Sequence, residues 1–177
     1  MRLADLGDRI CIIGQSGSGK STLAAAIGKR LGLPVVHLDQ YRHLPGSQWQ
    51  LRPDDAFAEL HDSAIRTERW VIEGNYSKLM PQRLQRATGL IVIDMSTGAS
   101  LARYVRRALQ PAGRRIGGLP GTRDRLSWSM IRYLLLNTRA SRRRRRAVFD
   151  ESTLPKVFLS GSPATRRFYE GEGLDLP

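Results

Sequence analysis

Eight consecutive residues near the start of the chain have the types and spacing of a phosphate-binding loop. The run Gly14–Ser21 reads GQSGSGKS and fits the pattern G-x-x-x-x-G-K-[ST] at every fixed position. Glycines let main-chain N–H groups turn toward phosphate oxygens, because no Cβ stands in the way. Lys20 can reach the β- and γ-phosphates of a nucleotide, and the Ser21 hydroxyl can bind Mg²⁺. The predicted phosphate-binding residues are Gly14, Gln15, Ser16, Gly17, Ser18, Gly19, Lys20, Ser21 and Thr22.

The segments on either side of this loop have the patterns that a phosphate site requires. Before it, residues 10–13 form a continuous apolar run, which is typical of a central parallel strand. After it, residues 21–31 carry apolar side chains at helical spacing, and Gly32 and Pro34 end that helix. The positive N-terminal end of the helix would face the same anion. A Gly/Ser-rich surface turn, the alternative, would not need this context.

Two acids follow later apolar runs that read as strands. Asp39 comes after residues 35–38, and Glu73 comes after residues 70–72. Ligands of open α/β sheets bind at the carboxyl ends of the strands. Asp39 could therefore orient Mg²⁺-bound water or accept a proton from an attacking hydroxyl, with an ordinary turn aspartate as the alternative. We predict that Ser21, Asp39 and Glu73 bind the metal, with Asp39 and Lys20 also catalytic.

Four other residues are predicted to contact the substrate: Tyr41, Asn75, Tyr76 and Arg83. Tyr41 opens a loop in which aromatic and basic side chains alternate, and those side chains could equally pack the loop down. Arg83 lies on a predicted helix, where it could reach a substrate anion or be solvated. His37, inside the second apolar run, is predicted to be an ordinary sheet histidine.

Positive charge is concentrated in one region of the sequence. The chain of 177 residues has a formal net charge of +13, and much of it falls between residues 103 and 146. Such a balance favours polyanionic ligands such as nucleotides, nucleic acid or an anionic membrane. The Gly/Pro-rich, basic segment 111–125 predicts a lid over the phosphates, or else a flexible basic loop. The run Arg142–Arg146 predicts a nucleic-acid contact or the solvated end of a helix.

Length and pattern predict one α/β domain spanning residues 1–177. Five apolar runs alternate with helical patterns, which indicates a three-layer fold around a five-stranded parallel sheet. The single cysteine, Cys11, is predicted to be a small buried hydrophobe, which suits a reducing cytoplasm. No apolar stretch approaches the roughly 18 residues of a membrane span, and we predict a cytoplasmic protein without a membrane partner.

Among phosphate-loop proteins, a small kinase fits these patterns best. A regulatory GTPase would normally carry D-x-x-G and N-K-x-D motifs, and neither is found. Ring-forming ATPases normally need a longer chain and a pair of adjacent acids after one strand. We predict transfer of the γ-phosphoryl group to a nucleotide, nucleoside or small metabolite. The alternative is a nucleic-acid-associated ATPase or nucleotide-dependent DNA-binding protein that uses Arg142–Arg146.

Three segments resemble bacterial phosphate-loop proteins related to adenylate kinase, many of which carry the label "DNA topology modulation protein" or FlaR-like. They are residues 14–22, residues 33–39 and residues 70–77. Residues 91–94, followed by Arg103 and Arg107, are also similar, so the resemblance spans most of the chain. The resemblance implies an adenylate-kinase-like fold with the loop-bearing strand at the sheet centre, and ATP as the nucleotide. It also implies that Asp39 contacts the acceptor hydroxyl. The lid arginines of such kinases would correspond to Arg103, Arg107, Arg114 and Arg115.

Overall fold

A computed structural model describes residues 1–47, 49–108, 117–118 and 128–175, without the side chains of residues 103–104, 106–108 and 128–139. In this part of the chain, five parallel strands form one sheet in the order β2-β3-β1-β4-β5. The strands are β1 (Arg9–Gly14), β2 (Val35–His37), β3 (Trp70–Glu73), β4 (Gly89–Asp94) and β5 (Lys156–Ser160). The predicted five-stranded parallel sheet is confirmed, with the loop-bearing strand at its centre.

Helices connect the strands and cover the sheet. They are α1 (Lys20–Leu31), α2 (Leu38–Arg42), α3 (Asp54–Arg66), α4 (Met80–Arg86), α5 (Thr97–Ala108), α6 (Trp128–Glu151) and α7 (Gly161–Gly171). Short 3-10 turns precede β1 and α4. None of the helices in the described ranges is long and apolar enough to cross a membrane.

The central strand separates two apolar layers. Ile10 and Ile12 face a cluster that includes α1 and α7, while Cys11 and Ile13 face a cluster that includes α3, α4 and the end of α6. Successive strand residues point to opposite faces, so an uninterrupted apolar run is what a strand covered on both faces requires. All four side chains are fully buried, including the predicted buried cysteine, Cys11. The three-layer prediction is confirmed.

The end of the second strand differs from the sequence prediction. We expected the strand to run through Leu38 to Asp39, but β2 ends at His37, and Asp39 lies in the first turn of α2. The reason lies in the neighbouring strand. His37 pairs with Glu73, the last residue of β3, so no backbone partner remains beyond that rung. The main-chain groups that follow form their hydrogen bonds within the short helix α2. Asp39 still lies just beyond the carboxyl end of β2.

Two basic segments of the prediction fall differently in the structure. The arginine run Arg142–Arg146 is part of the 24-residue helix α6, which continues five residues beyond it to Glu151. The predicted lid at residues 111–125 lies outside the described residues, except for Gly117 and Gly118.

Candidate active site

The phosphate loop connects β1 to α1. Gly19 precedes the first helical residue with φ 95°, a left-handed conformation that favours glycine. The Lys20 ammonium donates a hydrogen bond to the main-chain oxygen of Gln15 at 3.1 Å, and the Ser18 N–H donates to the same oxygen at 3.1 Å. The lysine side chain thus folds back along the loop. Together with the N-terminus of α1, this arrangement presents an ammonium group and main-chain donors to an anion.

Ser21, in the first turn of α1, lies beside the carboxylate of Glu73. The Ser21 hydroxyl donates to Glu73 Oε1 at 2.9 Å, and His37 Nδ1 lies 3.0 Å from the same oxygen. Glu73 is only 3% exposed. Ser21, His37 and Glu73 come together because β1, β2 and β3 are neighbouring parallel strands, and their carboxyl ends lie at one edge of the sheet.

Charge and hydrogen bonds keep Glu73 ionised. Burial alone would raise the pKa of its carboxyl, but the hydrogen bond to His37 and the charge of Lys20 act in the opposite direction. The Ser21 hydrogen bond adds to this effect, and the net result is a pKa below the ordinary value. A buried anion therefore lies next to a hydroxyl at the edge of the phosphate loop.

This hydroxyl–carboxylate pair fits Mg²⁺. The ion prefers hard oxygen ligands and usually binds through one or two protein groups together with water and substrate phosphates. The described residues contain no group of three or more histidine, cysteine or acidic side chains that could hold a metal alone. Ser21 and Glu73 would hold the ion only together with a nucleotide. Asp39, predicted as a third ligand, accepts a hydrogen bond from Tyr76 at Oδ1, and its role at the metal stays a prediction.

Removing the Glu73 charge tests this assignment. We expect Glu73→Gln to raise the Mg²⁺ concentration for half-maximal nucleotide-dependent activity by about tenfold, since a hard cation loses a charged oxygen. A titration of activity against Mg²⁺ measures this shift. Glu68→Gln is the matched control, because Glu68 is exposed and pairs with Arg9 away from the loop. An unchanged Mg²⁺ titration in Glu73→Gln would contradict the assignment.

Asp39 and Tyr76 form the second pair at this edge of the sheet. The Tyr76 hydroxyl donates to Asp39 Oδ1 at 2.6 Å, and its ring packs edge-on against Phe57 at 4.9 Å between centroids. Burial and the Asp39 charge raise the pKa of the Tyr76 phenol, so the hydroxyl stays a donor. Tyr76, predicted to contact substrate, thus orients the predicted catalytic acid.

Asn75 connects the phosphate loop to the end of β3. Its Oδ1 accepts from the Gly14 N–H at 3.1 Å, and its Nδ2 donates to the Gly14 oxygen at 2.9 Å. Both main-chain groups of the first loop residue are thereby held by one side-chain amide. The sequence prediction gave Asn75 a substrate contact, and the structure adds this contact with the loop.

Arg83 is placed differently from the expectation that it meets a substrate anion. It is fully buried, and its Nη2 donates to the main-chain oxygens of Gly74 at 2.8 Å and Asn75 at 3.0 Å. The turn that it holds is conformationally unusual, with φ 135° at Gly74 and φ 35° at Tyr76. Its Nη2 group therefore holds the turn between Glu73 and Tyr76.

The arginines of the run Arg142–Arg146 lie on different faces of helix α6. Arg142 binds the Asp94 carboxylate through Nε at 3.0 Å and Nη2 at 2.6 Å. Arg145 is buried, donates to Gln15 Oε1 at 3.0 Å and lies 3.6 Å from Asp94. Arg143 and Arg144 are exposed. At least two of the arginines therefore bind other parts of the protein. The sequence analysis predicted a nucleic-acid contact or a solvated helix end for this run, and it did not predict these internal contacts.

Gln15 explains why this helix lies against the phosphate loop. Its Nε2 donates to the Met95 oxygen at 2.6 Å and also to the Ser100 hydroxyl, so the side chain is buried beside the end of β4. Gln15 thus contributes its backbone to the loop, while its side chain links the loop to β4 and α6. A helical projection of residues 141–151 would have placed Arg145 on the same face as Val148.

The two described residues of the predicted lid, Gly117 and Gly118, lie beside Ser21, His37 and Gln40. The Gly118 oxygen accepts from Gln40 Nε2 at 3.0 Å. A Cβ at Gly117 would lie 2.8 Å from His37 Nδ1 and 2.9 Å from Ser21 Cβ, so only glycine fits there.

The remaining predicted residues divide into two groups. Thr22 lies in α1, and Tyr41 lies in α2, half-buried against the apolar layer on the α3 side of the sheet. Arg103 and Arg107 fall in α5, with side chains outside the described part, and Arg114 and Arg115 lie outside the described residues. Their predicted roles stay predictions. His37 is the contact that the sequence analysis missed, since its pattern indicated only a sheet residue.

Comparisons with known proteins show the fold. No family model matches the chain, and no curated protein matches it. Shikimate kinase from Bacteroides thetaiotaomicron is similar in structure, with a TM-score of 0.53, 16% identity, and 92% of this chain and 96% of that chain covered. A protein described as a putative kinase from Chloroflexus aurantiacus has a TM-score of 0.53 at 15% identity, with 96% and 99% covered.

The chain therefore has the three-layer α/β P-loop fold of these solved structures. Its sheet order, phosphate loop and covering helices agree with the class predicted from the sequence. The narrower resemblance to the DNA topology modulation proteins stays an interpretation of the sequence alone, because the matched structures support only the fold.

Proposed function

We propose that the protein is an ATP-dependent kinase that transfers the γ-phosphoryl group of Mg-ATP to a small acceptor. One observation supports this most strongly. The Lys20 loop, the Ser21–Glu73 pair and the Asp39–Tyr76 pair lie at the carboxyl ends of three adjacent strands. Phosphoryl transfer depends mainly on positioning and neutralisation of charge, and these residues supply both.

Each group has a distinct role in this proposal. Lys20 and the loop N–H groups bind the β- and γ-phosphates, because they are the cationic and polarised donors at the N-terminus of α1. Ser21 and Glu73 would hold Mg²⁺, which would offset the negative charge of the phosphates when bound. Arg103, Arg107, Arg114 and Arg115 would stabilise the charge on the transferring group, as the sequence resemblance implies.

Asp39 orients the acceptor and accepts its proton where the acceptor is a hydroxyl. The hydrogen bond from Tyr76 fixes Oδ1 and keeps the carboxylate in one orientation. Within the described residues, Oδ2 makes no hydrogen bond, which leaves it for the acceptor. Positioned proton acceptors of this kind contribute about 10²–10⁴-fold to a reaction rate.

The experiment measures ADP formation from Mg-ATP in parallel reactions with nucleoside monophosphates, nucleosides, hydroxylated metabolites, DNA or no acceptor. We expect one class of small acceptor to accelerate ADP formation, and Asp39→Asn to reduce that acceleration by about 10²-fold or more. Asp55→Asn is the control, because Asp55 is an exposed acid at the start of α3. Acceleration by DNA alone, or by none of the additions, would overturn the kinase proposal.

A further inference from the structure

A cavity lies beside the candidate site, between α4 and α6. Its volume is about 890 Å³, within the range of small-molecule sites. At one end it is lined by Gln15 and Ser16 of the phosphate loop and by Asn75 and Tyr76 of the turn after β3. A molecule in this cavity would therefore reach both the phosphate loop and the turn that orients Asp39.

One face of α6 forms a wall of the cavity. The lining residues Ser141, Arg144, Arg145, Val148 and Glu151 recur three or four positions apart, as residues on one helix face do. At about 1.5 Å per residue, this face spans about 15 Å. Arg145 marks the end near the phosphate loop, because it binds Gln15. Glu151 marks the opposite end, at the last turn of α6.

The chemistry of the lining changes along this length. The end near the loop carries the guanidinium groups of Arg144 and Arg145. Apolar side chains follow, from Met80 and Leu84 of α4 and Val148 of α6. The far end is polar and includes the carboxylate of Glu151 together with Ser152 and Thr153. The cavity is thus cationic near the phosphate loop, apolar in the middle, and acidic with hydroxyl groups at the far end.

We propose that this cavity binds the phosphoryl acceptor, and that the acceptor has an anionic group, an apolar ring body and a hydrogen-bond donor at the opposite end. The inference rests on the proposed kinase function. Arg144 pairs with the anionic group, because it is exposed, lines the cavity and is adjacent in sequence to Arg145, which binds Gln15 of the phosphate loop. Glu151 accepts from the donor at the far end. A nucleoside monophosphate and an aromatic acid that bears an amino group share this chemistry.

The apolar middle section of the cavity is a poor match for a small polyhydroxylated acceptor. Buried hydroxyls need hydrogen-bond partners, and Met80, Leu84 and Val148 offer none of useful strength there. An apolar ring at the same place gains from removal of its surface from water. The walls therefore favour a ring system over a polyol.

The experiment compares nucleoside monophosphates, the matching nucleosides, an aminobenzoate and benzoate as ligands. Binding to the full-length protein is measured by calorimetry, and ADP formation from Mg-ATP is measured with each. We expect an anionic ligand that carries an amino group to bind more tightly than its uncharged or amino-free counterpart. Its apparent Kd should rise about tenfold in Arg144→Ser, the loss of one charge-assisted contact.

Arg143→Ser is the matched control, because Arg143 is also exposed but does not line the cavity. We expect its Kd to stay within twofold of the unsubstituted protein. Leu84→Trp, which fills the apolar section, should weaken binding by a similar factor, and Glu151→Gln should remove the preference for the amino-bearing ligand. Equal binding of charged and uncharged ligands, or equal effects of the two serine variants, would overturn the proposal.

The two proposals fail in different ways in this experiment. If uncharged nucleosides accelerate ADP formation as well as the anionic ligands do, the acceptor class is wrong and the kinase proposal stands. If none of these ligands accelerates ADP formation but a hydroxylated metabolite does, the acceptor class is again wrong and the kinase proposal stands. If no small acceptor of either panel accelerates ADP formation, the kinase proposal fails. In that case the change in Kd of the Arg144→Ser variant still shows whether the cavity binds an anionic ring compound.

Discussion

Replacement of Lys20 by methionine is expected to reduce ATP-dependent turnover by about 10²–10³-fold, the cost of removing one preorganised donor at a developing charge. Methionine keeps most of the length and apolar stem of lysine while it removes the ammonium. In the structure that ammonium contacts only one main-chain oxygen, Gln15 O at 3.1 Å, among the described residues. The fold does not depend on this contact, and circular dichroism should show an unchanged protein.

Lys29→Met is the control for this prediction. Lys29 lies on the same helix, but it is exposed and pairs with Asp175 at 2.6 Å far from the loop. We expect its turnover to equal that of the unsubstituted protein, since exposed ion pairs contribute about 0–1 kcal/mol. Equal turnover in Lys20→Met and Lys29→Met would show that the loop does not act on the transferred phosphate.

Replacement of Arg83 by methionine is expected to reduce turnover by about 10²-fold, although the Arg83 side chain is fully buried. A misplacement of about 1 Å at a reacting group is enough for a loss of this size. Arg83 holds the main-chain oxygens of Gly74 and Asn75. The segment from Glu73 to Tyr76 carries three residues whose side chains build the site. Without the guanidinium, we expect the turn to relax, because Tyr76 has φ 35°, where side chains are strained.

The effect of this change on stability should be smaller than its effect on turnover. Two main-chain oxygens lose their donor, which costs about 1–3 kcal/mol each. The change also removes a buried cation that no carboxylate among the described residues pairs with, and that removal offsets part of the cost. We expect a net loss of about 1–3 kcal/mol in the free energy of unfolding, measured by urea denaturation.

Two further variants separate positioning from folding. Arg86→Met changes an exposed arginine of the same helix and should leave kcat unchanged. Arg83→Lys keeps the charge but lacks the planar fork, so we expect it to restore stability more than kcat. If kcat in Arg83→Met, measured where the protein is fully folded, equals that of Arg86→Met, Arg83 has no role in positioning the site.

Sequence analysis could predict the features that depend on the local residue pattern and on the parallel arrangement of the strands. The loop from Gly14 to Ser21 lies between a buried strand and a helix, and both have strong periodic patterns. The meeting of Ser21 and Glu73 follows from parallel pairing, because strand ends share one edge of the sheet. These features needed no knowledge of side-chain packing.

Side chains that turn inward could not be predicted in the same way. Arg83 and Arg145 have the composition of surface residues, and their burial depends on polar partners supplied by distant segments. His37 had the pattern of a strand residue, and only its pairing with Glu73 in the sheet gives it a polar contact. Asp39 was expected at a strand end, but the length of β3 determines where β2 ends, and Asp39 falls in α2.

The side-chain amide of Asn75 has a thermodynamic consequence for nucleotide binding. It pairs with both main-chain groups of Gly14, so it continues the β1–β3 ladder one rung beyond Glu73 without a backbone strand. The conformational entropy of ordering the start of the loop is therefore lost when the protein folds, and not when ATP arrives. Binding from a pre-ordered loop retains more of the gross interaction free energy as affinity. Without the Asn75 contacts, the loop would have to become ordered each time ATP binds, and the entropy cost of that ordering would lower the affinity for ATP.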